Sequence, residues 1–212
     1  MEALENIFWA CLNGPHARYA AGTDDARRYA PGFSPIVGFP DAERPNFAAL
    51  RPFCEPGEHF YCDGWYGAAP DGWLIEAEST MFRMVWDAPR PAEDLAPDAV
   101  PLRPGHAQQA YDLAMLTRPG PFGLRTPELG EYFGYFDDGR LVAMAGERAA
   151  APGLREISGV CTHPGFQGRG YARKLMAKLV LRQLQRALEA LAGQSGFAHR
   201  RIDQGAHAVG IG

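Results

Sequence analysis

The sequence predicts an α+β fold: a mixed, mostly antiparallel sheet flanked by helices, with an amino-terminal α+β extension ahead of it. Three observations carry that expectation. Strand-like runs at 131–136, 140–148 and 154–162 are separated only by short turn signals, the pattern of an antiparallel meander. A glycine-rich loop then opens one long amphipathic helix. Gly 25 and Pro 18, with no fixed period, favour turns over a helical bundle or a fibre. At about 150 residues per domain as a soft prior, 212 residues make one large domain or two small ones. The texture changes near residue 98, so residues 1–97 read as an extension or subdomain and 98–212 as the main domain.

Apolar residues reach 46%, enough to bury a core. A charged fraction of 22% and a net charge of −4 exclude a disordered polyelectrolyte and supply no basic footprint for nucleic acid. Cys11, Cys54, Cys62 and Cys161 show no C-x-x-C spacing and are too sparse for a disulfide scaffold, so reduced thiols and no metal are expected. No apolar run approaches the roughly 18 residues of a membrane span. Met1–Glu5 lacks the basic and apolar regions of a secretory signal. These features point to a soluble, cytoplasmic protein without membrane or nucleic-acid partners; a homodimer is left open.

In the first half, Leu4, Ile7, Phe8, Cys11 and Leu12 recur at helical spacing until Asn13-Gly14-Pro15 stops them. A Pro/Gly-rich stretch runs from Pro31 to Pro56. Strands are expected at Glu58–Cys62, Gly72–Ala77 and Met81–Trp86, and a linker at Asp87–Pro97. His16 and His59 lack metal-ligand spacing and read as structural or solvated.

In the second half, Asp98–Arg103 reads as a short strand. A helix follows with Ala107, Ala110, Tyr111, Ala114 and Met115 on one face, broken by Thr117-Arg118-Pro119-Gly120-Pro121. Glu131–Phe136, Arg140–Arg148 and Leu154–Thr162 form the meander, with Asp137-Asp138-Gly139 as its first hairpin turn. The long helix then carries Ala172, Leu175, Met176, Leu179, Val180, Leu184, Leu188 and Leu191 on its apolar stripe.

The junction between the last strand and that helix carries chemistry. In Thr162-His163-Pro164-Gly165-Phe166-Gln167-Gly168-Arg169-Gly170-Tyr171-Ala172, a strand ends and glycines feed a helix amino terminus. The unpaired N–H groups and the helix dipole there suit a phosphate or pyrophosphate, and Arg169 adds a charge. A Walker loop fails because Tyr171-Ala172 stands where Lys-Ser/Thr is needed. A dinucleotide fingerprint fails because Arg173 takes the third glycine position and the preceding strand belongs to a meander.

Gln167-Gly168-Arg169-Gly170-Tyr171-Ala172 resembles the Q/R-x-x-G-x-G/A loop of the GNAT superfamily of N-acetyltransferases. The resemblance runs over about residues 98–192. It implies acetyl-CoA as co-substrate, with Gln167 opening the loop and the amides of Gly168, Arg169, Gly170, Tyr171 and Ala172 holding the pyrophosphate. It places the main chain of Val160, Cys161 and Thr162 along the pantetheine arm, with the Val160 N–H polarising the thioester carbonyl. Glu156 matches the position where several members keep a general base. Strand alternation would put Glu156, Ser158, Val160 and Thr162 on one face and Cys161 on the other. Against the catalytic role stands an ion pair of Glu156 with Arg148 or Arg155.

The implied reaction is direct attack of a small-molecule or peptide amine on acetyl-CoA in a ternary complex. The competing reading is a non-catalytic acyl-CoA-binding sensor or interaction module. The resemblance fades beyond about residue 187. There Gly196–Ile202 reads as the family's fifth strand and 203–210 as an echo of its next helix, with Gly210 or Gly212 where members keep an acidic Tyr. The acceptor is expected between the Thr117–Glu128 loop, the Glu131–Phe136 strand and Glu156, with Glu128 and Glu131 favouring a cationic amine.

Overall fold

A computed structural model describes residues 2–80, 82–194 and 207–211. Two short helices, α1 (Glu2–Glu5) and α2 (Ile7–Leu12), open the chain. The predicted apolar spacing is what α2 buries: Ile7, Phe8, Cys11 and Leu12. A three-stranded antiparallel sheet follows, formed by β1 (Ala20–Gly22), β2 (Arg27–Tyr29) and β3 (Val37–Gly38). Strands this short leave almost no periodicity to read, so the sequence did not announce them.

After helix α3 (Phe47–Leu50) the expected strands at 58–62 and 72–77 do not form. The first keeps only an isolated bridge between Ile36 and Tyr61, and the second has no strand. Aromatics of these segments and of the loop between them go to packing instead: Phe60, Trp65 and Trp73 cover the cluster of Phe39, Phe47 and Leu50. Of the third candidate only β4 (Arg83–Val85) is a strand.

The main sheet adds β5 (Val100–Pro101), β6 (Tyr132–Asp137), β7 (Arg140–Ala151), β8 (Leu154–Thr162) and β9 (His207–Ile211), in the order β4-β9-β8-β7-β6-β5. The β6–β7–β8 meander is as expected, and Asp138 (φ 46°) with Gly139 (φ 75°) makes the tight turn joining its first pair. β9 runs parallel to β8 and antiparallel to β4. The strand beside β8 is therefore 207–211; the expected strand at 196–202 lies outside the described residues, and 207–210 are extended rather than helical. β4 reaches this sheet from the segment before residue 98.

Two helices sandwich the sheet. On one face α5 (Tyr171–Gln194) buries Leu175, Leu179 and Val180 against Phe133, Tyr135, Ala143, Ala145 and Ile157. On the other, α4 (Ala107–Thr117) packs Ala110, Leu113 and Ala114 against Tyr132, Met144 and Cys161. The expected α4 face shifts by one step: Leu113 goes inward and Met115 is 43% exposed. Among the described residues no helix is long and apolar enough to cross a membrane.

The amino-terminal segment is fastened to the end of β7. Ile7, Phe8, Cys11, Leu12, Tyr29, Phe33 and Ile36 share a core with Ala149 and Ala151. Within it the Tyr29 hydroxyl meets Cys11 Sγ at 3.3 Å and His16 Nδ1 at 2.9 Å, and the Ala150 N–H donates to Cys11 Sγ at 3.2 Å. Burial, helped by the charges of Arg155 and Arg18, lowers the His16 pKa to about 4. Because the folded value lies below the ordinary value near 6.5, the stabilisation is complete above about pH 6.5 and drains away as pH falls toward about 4. Between pH 7 and 5 that loss should be on the order of 2 kcal/mol. Urea unfolding at pH 7, 6 and 5 should show the decline, and His16→Gln should flatten it; an unchanged slope in the variant would place the titrating group elsewhere.

Candidate active site

The glycine loop sits where the sequence placed it. β8 ends at Thr162, and the His163 N–H donates to the Val142 carbonyl at 2.8 Å. Pro164–Phe166 turns once, with His163 Nδ1 accepting from the Gly165 N–H at 3.1 Å and His163 Nε2 lying 2.7 Å from Arg140 Nη2. His163 thus braces the turn. Gly168 (φ 77°) and Gly170 (φ 76°) adopt left-handed backbone, a conformation that costs other residues. The Gly170 carbonyl accepts the Lys174 N–H at 3.1 Å, so α5 starts directly on the loop. Gln167, Gly168, Arg169 and Gly170 are exposed and Ala172 half-buried. Arg169 lies over the Phe166 ring at 4.6 Å, and Tyr171 stacks on Tyr135 at 4.5 Å, fixing the first turn of the helix.

β8 itself is bent. Gly146 pairs with Ser158 while Met144 pairs with Cys161, so β8 spends three steps where β7 spends two. The extra residue is a bulge at Gly159, whose φ is +62°. This overturns the expected alternation. Glu156 and Ser158 share a face with Cys161, whereas Val160 and Thr162 belong to the opposite phase; Val160 packs on the α5 side. On its outer edge β8 pairs with β9 only over Leu154–Ile157. Among the described residues, the stretch from Ser158 to Thr162 has no strand on that side. On that side the outward main-chain groups are those of Val160 and Thr162. Cys161, paired with Met144 in the same phase as His163 with Val142, turns its N–H and C=O toward β7, so the expected main-chain contact does not extend to it.

Glu156 is not an open carboxylate. It is 1% exposed, and Arg148 takes both oxygens, Nη2 at 2.5 Å and Nε at 3.1 Å. Arg148 also donates to the Pro121 carbonyl at 3.3 Å and lies 5.5 Å from the Phe8 ring of α2. Arg155 turns away, to the carbonyls of Ala151 and Leu154. Cys161 is core: burial pushes its thiol up to about 11, far from nucleophile territory near neutrality.

The carboxylates expected to attract a cation are committed elsewhere. Glu128 pairs with Arg125 at 2.8 Å. Glu131 pairs with Arg182 at 2.5 Å and Arg186 at 3.4 Å. An open cleft of about 430 Å³ lies between the amino-terminal segment and α4, lined by Phe33, Pro35, Gln108, Tyr111, Phe122 and Leu124. None of these side chains is charged. The cleft shares the Thr117–Glu128 loop with the expected acceptor site, but its other walls are the amino-terminal segment and α4 instead of the Glu131–Phe136 strand and Glu156. The segment is pinned there by Ser34 Oγ, 3.0 Å from both the Pro121 carbonyl and Thr126 Oγ1, and by the Arg125 N–H donating to the Gly32 carbonyl at 2.7 Å. A tether of this kind joins residues far apart in sequence, which is why no motif revealed it.

A bulged strand whose outer edge is unpaired among the described residues thus runs into a glycine loop at a helix amino terminus. The sequence model of the Acetyltransferase (GNAT) family matches residues 84–207. The chain belongs to that family, and acetyl-CoA is its co-substrate. It is similar to a crystal structure assigned to the GNAT acetyltransferases from Novosphingobium aromaticivorans, with 27% identity and a TM-score of 0.73, over 99% of this chain and 85% of that one. More distant is the ribosomal-protein-S18-alanine N-acetyltransferase of Escherichia coli, at 16% identity and TM-score 0.36, over 57% of this chain and 80% of that one. A Mycobacterium tuberculosis protein solved with CoA stands at 17% and 0.36, over 52% and 77%. No curated protein matches the chain in sequence.

Proposed function

We propose that the chain is an N-acetyltransferase in which an amine attacks acetyl-CoA directly in a ternary complex. The observation that carries the reading is the continuous geometry from the bulge at Gly159, through the unpaired edge at Val160–Thr162, to the exposed loop at Gly168–Gly170. In this reading the amides of Gly168, Arg169, Gly170, Tyr171 and Ala172 hold the pyrophosphate, with Gln167 at the loop's opening. Val160 and Thr162 pair with the pantetheine arm through main chain, and the Val160 N–H polarises the thioester carbonyl.

The acceptor enters through the cleft below α4. Phe122 lines that cleft and also lies 3.2 Å from the Cβ position of Gly159, so the cleft and the bulge share a wall. The uncharged, aromatic lining favours an amine attached to an apolar or aromatic body, small molecule or peptide side chain, over a polycation. Residues 1–97 supply one side of that cleft. Glu156 is the proposed base even though it is buried and does not line the cleft: Arg148 makes one bond to each of its oxygens, each oxygen keeps a further lone pair, and the amine must pass Phe122 to reach them.

Acetyl-CoA should raise the melting temperature, and an aromatic or aliphatic primary amine should release free CoA thiol. Glu156→Gln should retain coenzyme affinity and lose about 10²–10⁴ in turnover, measured below the variant's own unfolding transition. Unchanged turnover would reduce Glu156 to a structural partner of Arg148. Coenzyme binding without thiol release from any amine would favour the sensor reading.

A further inference from the structure

Tyr132 carries a hydroxyl that the fold buries and leaves without a partner. The residue is 2% exposed, and among the described residues its oxygen makes no hydrogen bond. A buried polar group left unpaired costs stability, so the position demands an account. Packing alone does not give one, because phenylalanine would fill the same space without the cost.

The ring is aimed by two glycines. Tyr132 on β6 pairs with Gly146 on β7, which pairs with Ser158 on β8. A Cβ at Gly146 would lie 2.2 Å from Cγ and Cδ1 of Tyr132 and 2.4 Å from Cδ2, so the ring lies flat across β7 where only glycine fits. It ends at the bulge: the Cβ position of Gly159 is 3.2 Å from Cε1 and 3.6 Å from the hydroxyl. Phe122 closes the other side edge-on, with ring centroids 6.0 Å apart. The hydroxyl therefore ends beside the residue before Val160, on the face that holds Arg148 and Glu156; it does not itself line the acceptor cleft, and Phe122 is the ring that touches both.

We infer that the Tyr132 hydroxyl is a catalytic hydrogen-bond donor, placed to stabilise the negative charge that forms on the thioester oxygen when the amine attacks. This rests on the acetyltransferase reading above. The nitrogen lone pair forms the new C–N bond, and the carbonyl pair moves onto oxygen, where Tyr132 and the Val160 N–H donate together. Collapse restores the carbonyl and breaks the C–S bond, and sulfur leaves with that electron pair. The proton lost by nitrogen balances the one sulfur gains. Tyr132 keeps its own proton throughout, and burial supports this by pushing the phenol far above its ordinary range. A donor fixed in a water-poor site before reaction needs no reorganisation when charge appears.

The test is Tyr132→Phe, which deletes one unpartnered oxygen and conserves shape. Its melting temperature without ligand should equal or exceed that of the parent, while kcat falls about 10²–10³-fold. A binding readout runs beside it: calorimetric affinities for acetyl-CoA and for S-ethyl-CoA, which lacks the carbonyl oxygen. The parent should prefer acetyl-CoA, and the variant should lose much of that preference while holding S-ethyl-CoA equally well. If neither kcat nor the preference changes, the inference is overturned. If the parent binds acetyl-CoA but acetylates no amine, the transferase reading fails, and the preference still decides whether Tyr132 meets the carbonyl. A parent that does not bind acetyl-CoA overturns both.

Discussion

Gly170→Val should weaken acetyl-CoA binding at least about a hundredfold and leave the fold in place. Gly170 has φ +76°, and a Cβ added there meets no protein atom within 4 Å. Valine would therefore clash with nothing in the free protein. It would be confined to a left-handed conformation that costs a branched residue roughly 1–3 kcal/mol, a loss the fold should survive. Its two methyl groups would occupy the open space in front of the first N–H groups of α5, through which a pyrophosphate must approach. The expected outcome is an affinity loss of at least about a hundredfold, equivalent to roughly 2.7 kcal/mol. Gly170→Ala should fall between, because one methyl blocks less. Calorimetric titration with acetyl-CoA decides it, with circular dichroism as the check on folding. Parental affinity in the valine variant would move the pyrophosphate away from this loop.

That loop was legible from sequence for a physical reason. A loop that binds phosphate through its backbone, as proposed here, needs glycines at fixed positions in a short window, and Gly168 and Gly170 hold them with positive φ. The meander was legible for a similar reason, since Asp137-Asp138-Gly139 states its own turn and β8 matches its expected span. What could not be read was set by pairing between distant segments. The bulge at Gly159 needs β7 as a ruler, and without that ruler period two runs straight through and misassigns the faces of Val160, Cys161 and Thr162. The Tyr132 hydroxyl gains meaning only when Gly146 and Gly159 lie beneath and beside its ring. In residues 1–97 the strands are too short to show periodicity, and the aromatics at 60–73 serve a local cluster instead of a ladder. The cleft is lined by residues 32–35 and 108–124, from both halves of the chain, so neither half announces it alone.

Arg148→Met should be strongly destabilising. Arg148 and Glu156 have side chains 4% and 1% exposed, and their pairing is bidentate. Two such charges taken out of water gain little over a matched apolar pair, because desolvation offsets most of their attraction. Removing one partner is different. It strands the other, and the expected cost is about 3–5 kcal/mol, a large fraction of the roughly 5–15 kcal/mol that holds a typical domain folded. The same logic predicts the rescue: Arg148→Met with Glu156→Leu should recover much of the loss, since no buried charge then remains. Urea unfolding of the parent, both single variants and the double variant yields the coupling directly; additive losses would mean that the two side chains do not depend on each other in solution. A functional signature should separate from stability. Arg148 also holds the Pro121 carbonyl at 3.3 Å, and Ser34 meets the same carbonyl from the amino-terminal segment. Releasing that loop should loosen the wall formed by Phe122 and Leu124. The double variant also lacks the proposed base, so its turnover should fall as in Glu156→Gln. The loop's own contribution is read from binding, where acceptor affinity should weaken several-fold relative to Glu156→Gln while acetyl-CoA affinity stays at the parental value.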